Sequence, residues 1–130
     1  MIVVDASVLI AHLAPDQFDA ERAANILDTE DALIMHPLTV AECAVGPARV
    51  GELAVFQRAI TRLGLDVWQP DSAHAYRVAT LRATSPLKLP DCCVLDAART
   101  LSASLATFDE QLAKVARSLG ILVEDGNSDA

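Results

Sequence analysis

Short apolar runs recur along the chain, separated by stretches with helical periodicity. Ile2-Val3-Val4 is a β-branched run with no polar alternation, the pattern of a strand buried on both faces of a parallel sheet. Leu33-Ile34-Met35, Leu65-Asp66-Val67-Trp68, Ser104-Leu105-Ala106-Thr107 and Ile121-Leu122-Val123 read as four further strands. Between the strands, Asp5-Ala6-Ser7 opens a helix to about Ala14, broken by Pro15-Asp16, and a second helix is predicted from Asp16 to Leu27. Pro37 suits a first helical turn, so a helix runs from Leu38 to about Val45 before Gly46-Pro47 interrupts it. From Gly51 to Leu63 the apolar residues Leu53, Phe56, Ile60 and Leu63 share one helical face, with Gly64 as the stop. Asp71 or Ser72 caps a helix to about Ala83, and 85–90 is a loop. Asp91 is predicted as the N-cap of a helix buried through Val94, Leu95, Ala98 and Leu101. A last helix spans Asp109 to Ser118, and residues from Gly126 onward are expected to fray.

Strands alternating with helices at this spacing imply right-handed crossovers. The predicted architecture is a three-layer α/β/α fold around a mostly parallel sheet of roughly five strands. With 130 residues the chain is expected to form a single domain, 1–130. Alanine supplies 23 residues and aromatics only 4%, so the core is built from small aliphatic side chains. Charges or prolines interrupt every apolar run before the roughly 18 residues a membrane helix needs. The N-terminus lacks the basic segment of a signal peptide, and the expected location is the cytoplasm, with no membrane partner. Cys43, Cys92 and Cys93 are odd in number and show no zinc-type spacing, so they read as small thiols in a reducing compartment.

The candidate chemistry lies where ligands bind in open parallel sheets, beyond the carboxyl ends of the strands. Asp5 directly follows the first strand, Glu42 stands about two turns into the helix after the second, Asp91 begins a helix, and Asp109 closely follows the fourth strand. Four acids thus converge with no Lys, Arg or His expected at the same strand ends. Two like charges about 4 Å apart repel by about 4 kcal/mol at an effective dielectric near 20, so such a cluster must protonate or bind a cation. Hard oxygen donors in an open site favour Mg²⁺ or Mn²⁺, and metal-assisted phosphodiester hydrolysis follows naturally. Each acid has a simpler reading: Asp5, Asp91 and Asp109 also stand where a helix N-cap would. Ser7 and Thr107, each two residues from an acid, suit either carboxylate orientation or local capping. Asp96, five residues beyond Asp91, points about 140° away around the helix and is left outside the cluster.

At these positions the sequence resembles the PIN-domain family, and within it the VapC-type toxins of type II toxin–antitoxin pairs. The carrying motifs are Met-Ile-Val-Val-Asp-Ala-Ser at residues 1–7, Leu-Thr-Val-Ala-Glu at 38–42, Leu-Pro-Asp at 89–91 and Leu-Ala-Thr-Phe-Asp at 105–109. Asp96 departs from the small apolar residue usual in relatives. The resemblance implies a Mg²⁺- or Mn²⁺-dependent endoribonuclease acting on RNA, plausibly tRNA or rRNA, and held inactive by a cognate VapB-like antitoxin. It carries over Asp5, Glu42, Asp91 and Asp109 as catalytic and metal-binding acids, with Ser7 and Thr107 in support, and implies a homodimer. The rival reading is a non-cleaving RNA-binding or antitoxin-sequestering module on the same fold. A phospho-receiver or a haloacid-dehalogenase-type phosphatase fits poorly, because the first strand ends in Asp-Ala-Ser rather than in a pair of acids.

The net charge of −8 excludes a broadly basic surface that coats nucleic acid. Its distribution is uneven: residues 1–48 hold eight acids and one base (Arg22), residues 49–130 ten acids and nine bases. Most of these bases suit a solvated helix face, yet some stand where they can hold phosphates beside the acids.

Overall fold

The computed structural model describes residues 1–14 and 19–127. Its order is β1 (Ile2–Val4), α1 (Ala6–Leu13), α2 (Ala20–Leu27), β2 (Leu33–Met35), α3 (Pro37–Arg49), α4 (Leu53–Arg62), β3 (Leu65–Val67), α5 (His74–Thr84), α6 (Leu89–Thr100), β4 (Ser104–Ala106), α7 (Glu110–Ser118) and β5 (Val123–Glu124). The strands form one sheet in the order β3-β2-β1-β4-β5, and every pairing is parallel. The three-layer architecture follows from strand alternation. Ile2 and Val4 face a core shared with α1, α2, α3 and α4, whereas Val3 faces a second core with α5, α6 and α7. An uninterrupted apolar strand is what burial on both faces requires.

Several boundaries differ from the sequence expectation, each for a local reason. The helix predicted from Asp16 begins at Ala20, and its expected first residues 16–18 lie outside the described residues. Gly46-Pro47 does not interrupt α3. Pro47 sits in the last turn, and its carbonyl accepts the N–H groups of Val50 and Glu52, which closes the helix one turn later. Gly51 at φ 73° then turns the chain, so α4 begins at Leu53. The loop predicted at 85–90 ends early. Lys88 is the N-cap of α6, Leu89 and Pro90 form its first turn, and Asp91 lies inside the helix. Proline at this point gives up an N–H that has no helical partner and brings a helical φ, so it extends the helix backward. The fifth strand lies two residues later than expected, at Val123–Glu124. Of the predicted fraying tail, Gly126 packs against the Arg22 backbone so closely that a Cβ would stand 2.3 Å from the Arg22 oxygen, and 128–130 lie outside the described residues.

Candidate active site

The strand order reverses between β1 and β4: β2 and β3 extend the sheet on one side, β4 and β5 on the other. Such a switch point opens a crevice at the carboxyl ends of the two central strands. Asp5 follows β1 at that point, and Thr107, Phe108 and Asp109 follow β4.

A hydrogen-bond lattice ties these two strand ends together. Ser7 Oγ donates to Asp5 Oδ2 at 2.9 Å and Thr107 Oγ1 donates to the same oxygen at 2.8 Å. Each hydroxyl in turn accepts a backbone N–H, from Phe108 at 3.0 Å and from Asp109 at 3.1 Å. The N–H groups fix the direction of both hydroxyl protons, so Oδ2 is a double acceptor. Asp5 Oδ1 receives no hydrogen bond among the described residues. Asp5 is buried, and although it is the N-cap of α1 its side chain makes no capping bond. Asp109 does cap: its Oδ1 accepts the Leu112 N–H at 2.8 Å, at the N-terminus of α7.

The other two acids reach the crevice differently. Glu42 lies mid-helix in α3 and Asp91 in the first turn of α6, and neither carboxylate takes a protein hydrogen bond among the described residues. The Asp91 carboxyl is pushed up to about 6, first by burial and then by the charges of Asp5, Asp109 and Glu42, with Lys88 opposing. Glu42 is raised as well, by burial and then by Asp5. Asp91 therefore feels the other three acids, and Glu42 feels Asp5. The Cys43 thiol beside them is pushed up to about 12, again first by burial, and is inert as a nucleophile. The oxygen-only donors, the spare Asp5 oxygen and the excess negative charge fit a hard divalent cation.

One expectation fails here. A histidine does stand at a strand end: His36 directly follows β2 and is the N-cap of α3, with its Nδ1 accepting the Leu38 N–H at 2.9 Å. Burial, followed by the neighbouring His74, lowers its pKa to about 4, so it is neutral and does not offset the acids. Sequence reasoning passed over His36, although its place one residue beyond a strand was the signal that selected Asp5. His74, at the start of α5, had no such signal.

His36, His74 and Cys93 offer ligand atoms that lie within 4.8 Å of one another. The hydrogen bonds argue against a metal between them. Because Leu38 donates to His36 Nδ1, the neutral ring carries its proton on Nε2, the atom that faces His74 Nε2 at 2.9 Å. A protonated nitrogen cannot ligate. Asp96 belongs to this cluster and not to the crevice: it is fully buried, with Oδ2 2.5 Å from His74 Nδ1 and Oδ1 2.9 Å from Arg77 Nε. Arg77 also binds Asp71 through two bonds, so it is spent within the fold and is not a phosphate contact. Beside Thr107 and Asp109, however, a cleft of about 380 Å³ carries Arg22 and Arg117 on its walls. Arg22 is held there by stacking on Phe108 at 4.4 Å and by bonds to Asp19 and the Asp125 carbonyl.

Fold and crevice define an α/β protein with a carboxylate cluster at the switch point of a parallel sheet. The chain belongs to the PIN domain family, whose sequence model matches residues 2–118. No curated protein sequence matches it. Among solved structures it is similar to a toxin–antitoxin complex from Klebsiella pneumoniae, at 22% identity, 88% coverage of this chain, 92% of that one and a TM-score of 0.73. It is also similar to the Mycobacterium tuberculosis toxin VapC20, described as cleaving the sarcin–ricin loop, at 15% identity over 88% of this chain and 95% of that one, TM-score 0.73. The FitAcB structure from Neisseria gonorrhoeae aligns at 21% identity over 97% and 98% of the two chains, TM-score 0.72. Among the described residues, no helix is long and apolar enough to cross a membrane.

Proposed function

We propose that this PIN-domain chain is a Mg²⁺- or Mn²⁺-dependent endoribonuclease, the toxin of a toxin–antitoxin pair. In this reading Asp5, Glu42, Asp91 and Asp109 hold the cation, and Ser7 and Thr107 keep Asp5 in place. The observation that carries it is the gathering of acids around Asp91, which is raised to about 6 first by burial and then by the charges of Asp5, Asp109 and Glu42, with only Lys88 opposing. An uncompensated cluster of this kind costs stability unless it has a cationic ligand to bind.

A bound divalent ion would supply an acidified water and a clamp on the scissile phosphate. The protein's own part is positional. Ser7 and Thr107 fix one Asp5 oxygen and leave the other free to ligate. Glu42 and Asp91, free of protein hydrogen bonds among the described residues, can ligate or take a proton from the attacking water. Arg22 and Arg117 in the adjoining cleft suit the flanking phosphates of an RNA strand.

RNA as substrate, a VapB-like antitoxin as partner, a cytoplasmic location and a homodimer come to this chain through its family and the toxin–antitoxin assemblies it resembles. The test is cleavage of a structured RNA in Mg²⁺ or Mn²⁺. Cutting that stops with EDTA and with Asp5→Asn supports the nuclease; equal cutting by Asp5→Asn contradicts it. Tight RNA binding without cutting would instead favour the non-cleaving module.

A further inference from the structure

The four acids are held in two different ways. Asp5 and Asp109 are fixed by hydrogen bonds of their own, but Glu42 and Asp91 are placed only by the helices that bear them, α3 and α6. The relation between those helices therefore sets the width of the crevice.

Behind the crevice, a chain of hydrogen bonds joins the two helices. It starts at the Leu38 N–H, which donates to His36 Nδ1 at the head of α3. His36 must then donate through Nε2 to His74 Nε2, 2.9 Å away, at the first residue of α5. His74 in turn donates through Nδ1 to Asp96 Oδ2 at 2.5 Å, in the middle of α6. One proton arrangement satisfies every atom, and it is dictated from the backbone end. Arg77 locks the far end with bonds of 2.9 and 3.1 Å to Asp96, and the edge of the chain is covered by Trp68, whose ring centroid is 5.0 Å from that of His74. Glu42 lies six residues beyond His36, and Asp91 five before Asp96.

We propose that His36, His74 and Asp96 are positioning residues: their relay holds α3 against α6 and so sets the spacing of Glu42 and Asp91 for the cation. This rests on the reading of the crevice as a metal centre.

Two substitutions at one position separate the relay from the helix cap. His36→Asn keeps a side-chain acceptor for the Leu38 N–H, as asparagine is a strong N-cap, but is too short to reach His74. His36→Gln places an amide N–H near the Nε2 position and loses the cap. Mn²⁺ titration of the purified protein, by calorimetry or by the electron paramagnetic resonance of free Mn²⁺, reads the effect without any turnover. The expected result is affinity about 10-fold weaker in His36→Asn and within about 3-fold of wild type in His36→Gln, in line with losses at outer-shell metal positions. In a cleavage assay the Mn²⁺ concentration for half-maximal rate should rise to match, while kcat at saturating Mn²⁺ stays within about twofold.

The reverse order, or a His36→Asn affinity within twofold of wild type, overturns the relay. If His36→Asn does not fold, Asp96→Asn replaces it in the same titration. It leaves a single acceptor oxygen for the His74 Nδ1–H and the Arg77 guanidinium, with an expected loss of about 3- to 10-fold, and an unchanged affinity overturns the proposal equally. Wild-type protein that binds no Mn²⁺ overturns the metal centre and the relay's role together, whereas wild-type binding with indifferent variants overturns the relay alone.

Discussion

Thr107 Oγ1 donates a 2.8 Å hydrogen bond to Asp5 Oδ2 across 102 positions of sequence. It ties the end of β4 to the end of β1 at the point where the sheet changes direction, and Thr107 is only 1% exposed. Thr107→Val keeps the side-chain shape but removes both this donor and the acceptor for the Asp109 N–H. A buried hydrogen bond to a charged group contributes about 1.5–3 kcal/mol, so urea denaturation should show a loss of that order. Thr107→Ser, which keeps the hydroxyl, should lose less than about 1 kcal/mol. An equal loss in both variants would mean that packing of the methyl group, and not the hydrogen bond, is what matters there.

Cation binding should depend steeply on pH. Asp91 sits at about 6 in the folded protein, above its ordinary 3.8, because burial and then three neighbouring acids disfavour its charge. The folded state therefore holds more protons than the unfolded one between those values, and this group lowers stability as pH rises through that range. Well above pH 6 the repulsion is fully present, and a bound cation relieves it. Mn²⁺ should raise the melting temperature more at pH 7.5 than at pH 5. Affinity at pH 5 should be weaker by at least about tenfold, since Asp91 is then mostly protonated. A pH-independent Mn²⁺ affinity across that range would remove Asp91 from the site.

His36 gives the opposite pH dependence. Its folded pKa of about 4 lies below the ordinary 6.5, with burial as the largest cause, so the unfolded state binds the extra proton. Its contribution is fully present above pH 6.5 and is lost as pH falls toward 4, by up to about 3 kcal/mol. Because Asp91 acts in the other direction over much of this window, the informative quantity is the stability difference between wild type and His36→Asn. That difference should shrink steadily from pH 7 to pH 4.5 in metal-free buffer. A constant difference would show that burial beside His74 does not hold the ring neutral.

The pattern of apolar positions was enough to anticipate five strands, their parallel arrangement and the layers, because a β-branched run such as Ile2-Val3-Val4 has one economical use in this setting. The convergence of Asp5, Ser7, Thr107 and Asp109 was also legible, since each lies within three residues of the end of β1 or β4 and topology alone brings those ends together. Less legible were the helix limits around prolines. Pro47 and Pro90 read as breaks, yet Pro90 lies in a first turn, where its missing N–H has no helical partner to lose, and Pro47 lies in a last turn, where little helix remains beyond it to disrupt. The capping alternatives divide: Asp109 makes its capping bond, whereas Asp5 makes none and Asp91 lies inside the helix. The relay was not legible at all. His36, His74 and Asp96 are 38 and 22 residues apart, and their alignment depends on how α3, α5 and α6 pack. Asp96 stood out only as a departure from the small apolar residue usual in the family, and the partners that make its burial tolerable lie on another helix.

The proposed function stands on a divalent cation in the crevice at the ends of β1 and β4. Anomalous diffraction from crystals soaked in Mn²⁺ tests it most directly. A peak is expected within coordination distance of Asp5 and of at least one of Glu42, Asp91 and Asp109, absent in Asp5→Asn crystals. A peak between His36, His74 and Cys93 with none at Asp5, or the same peak in Asp5→Asn, would contradict it.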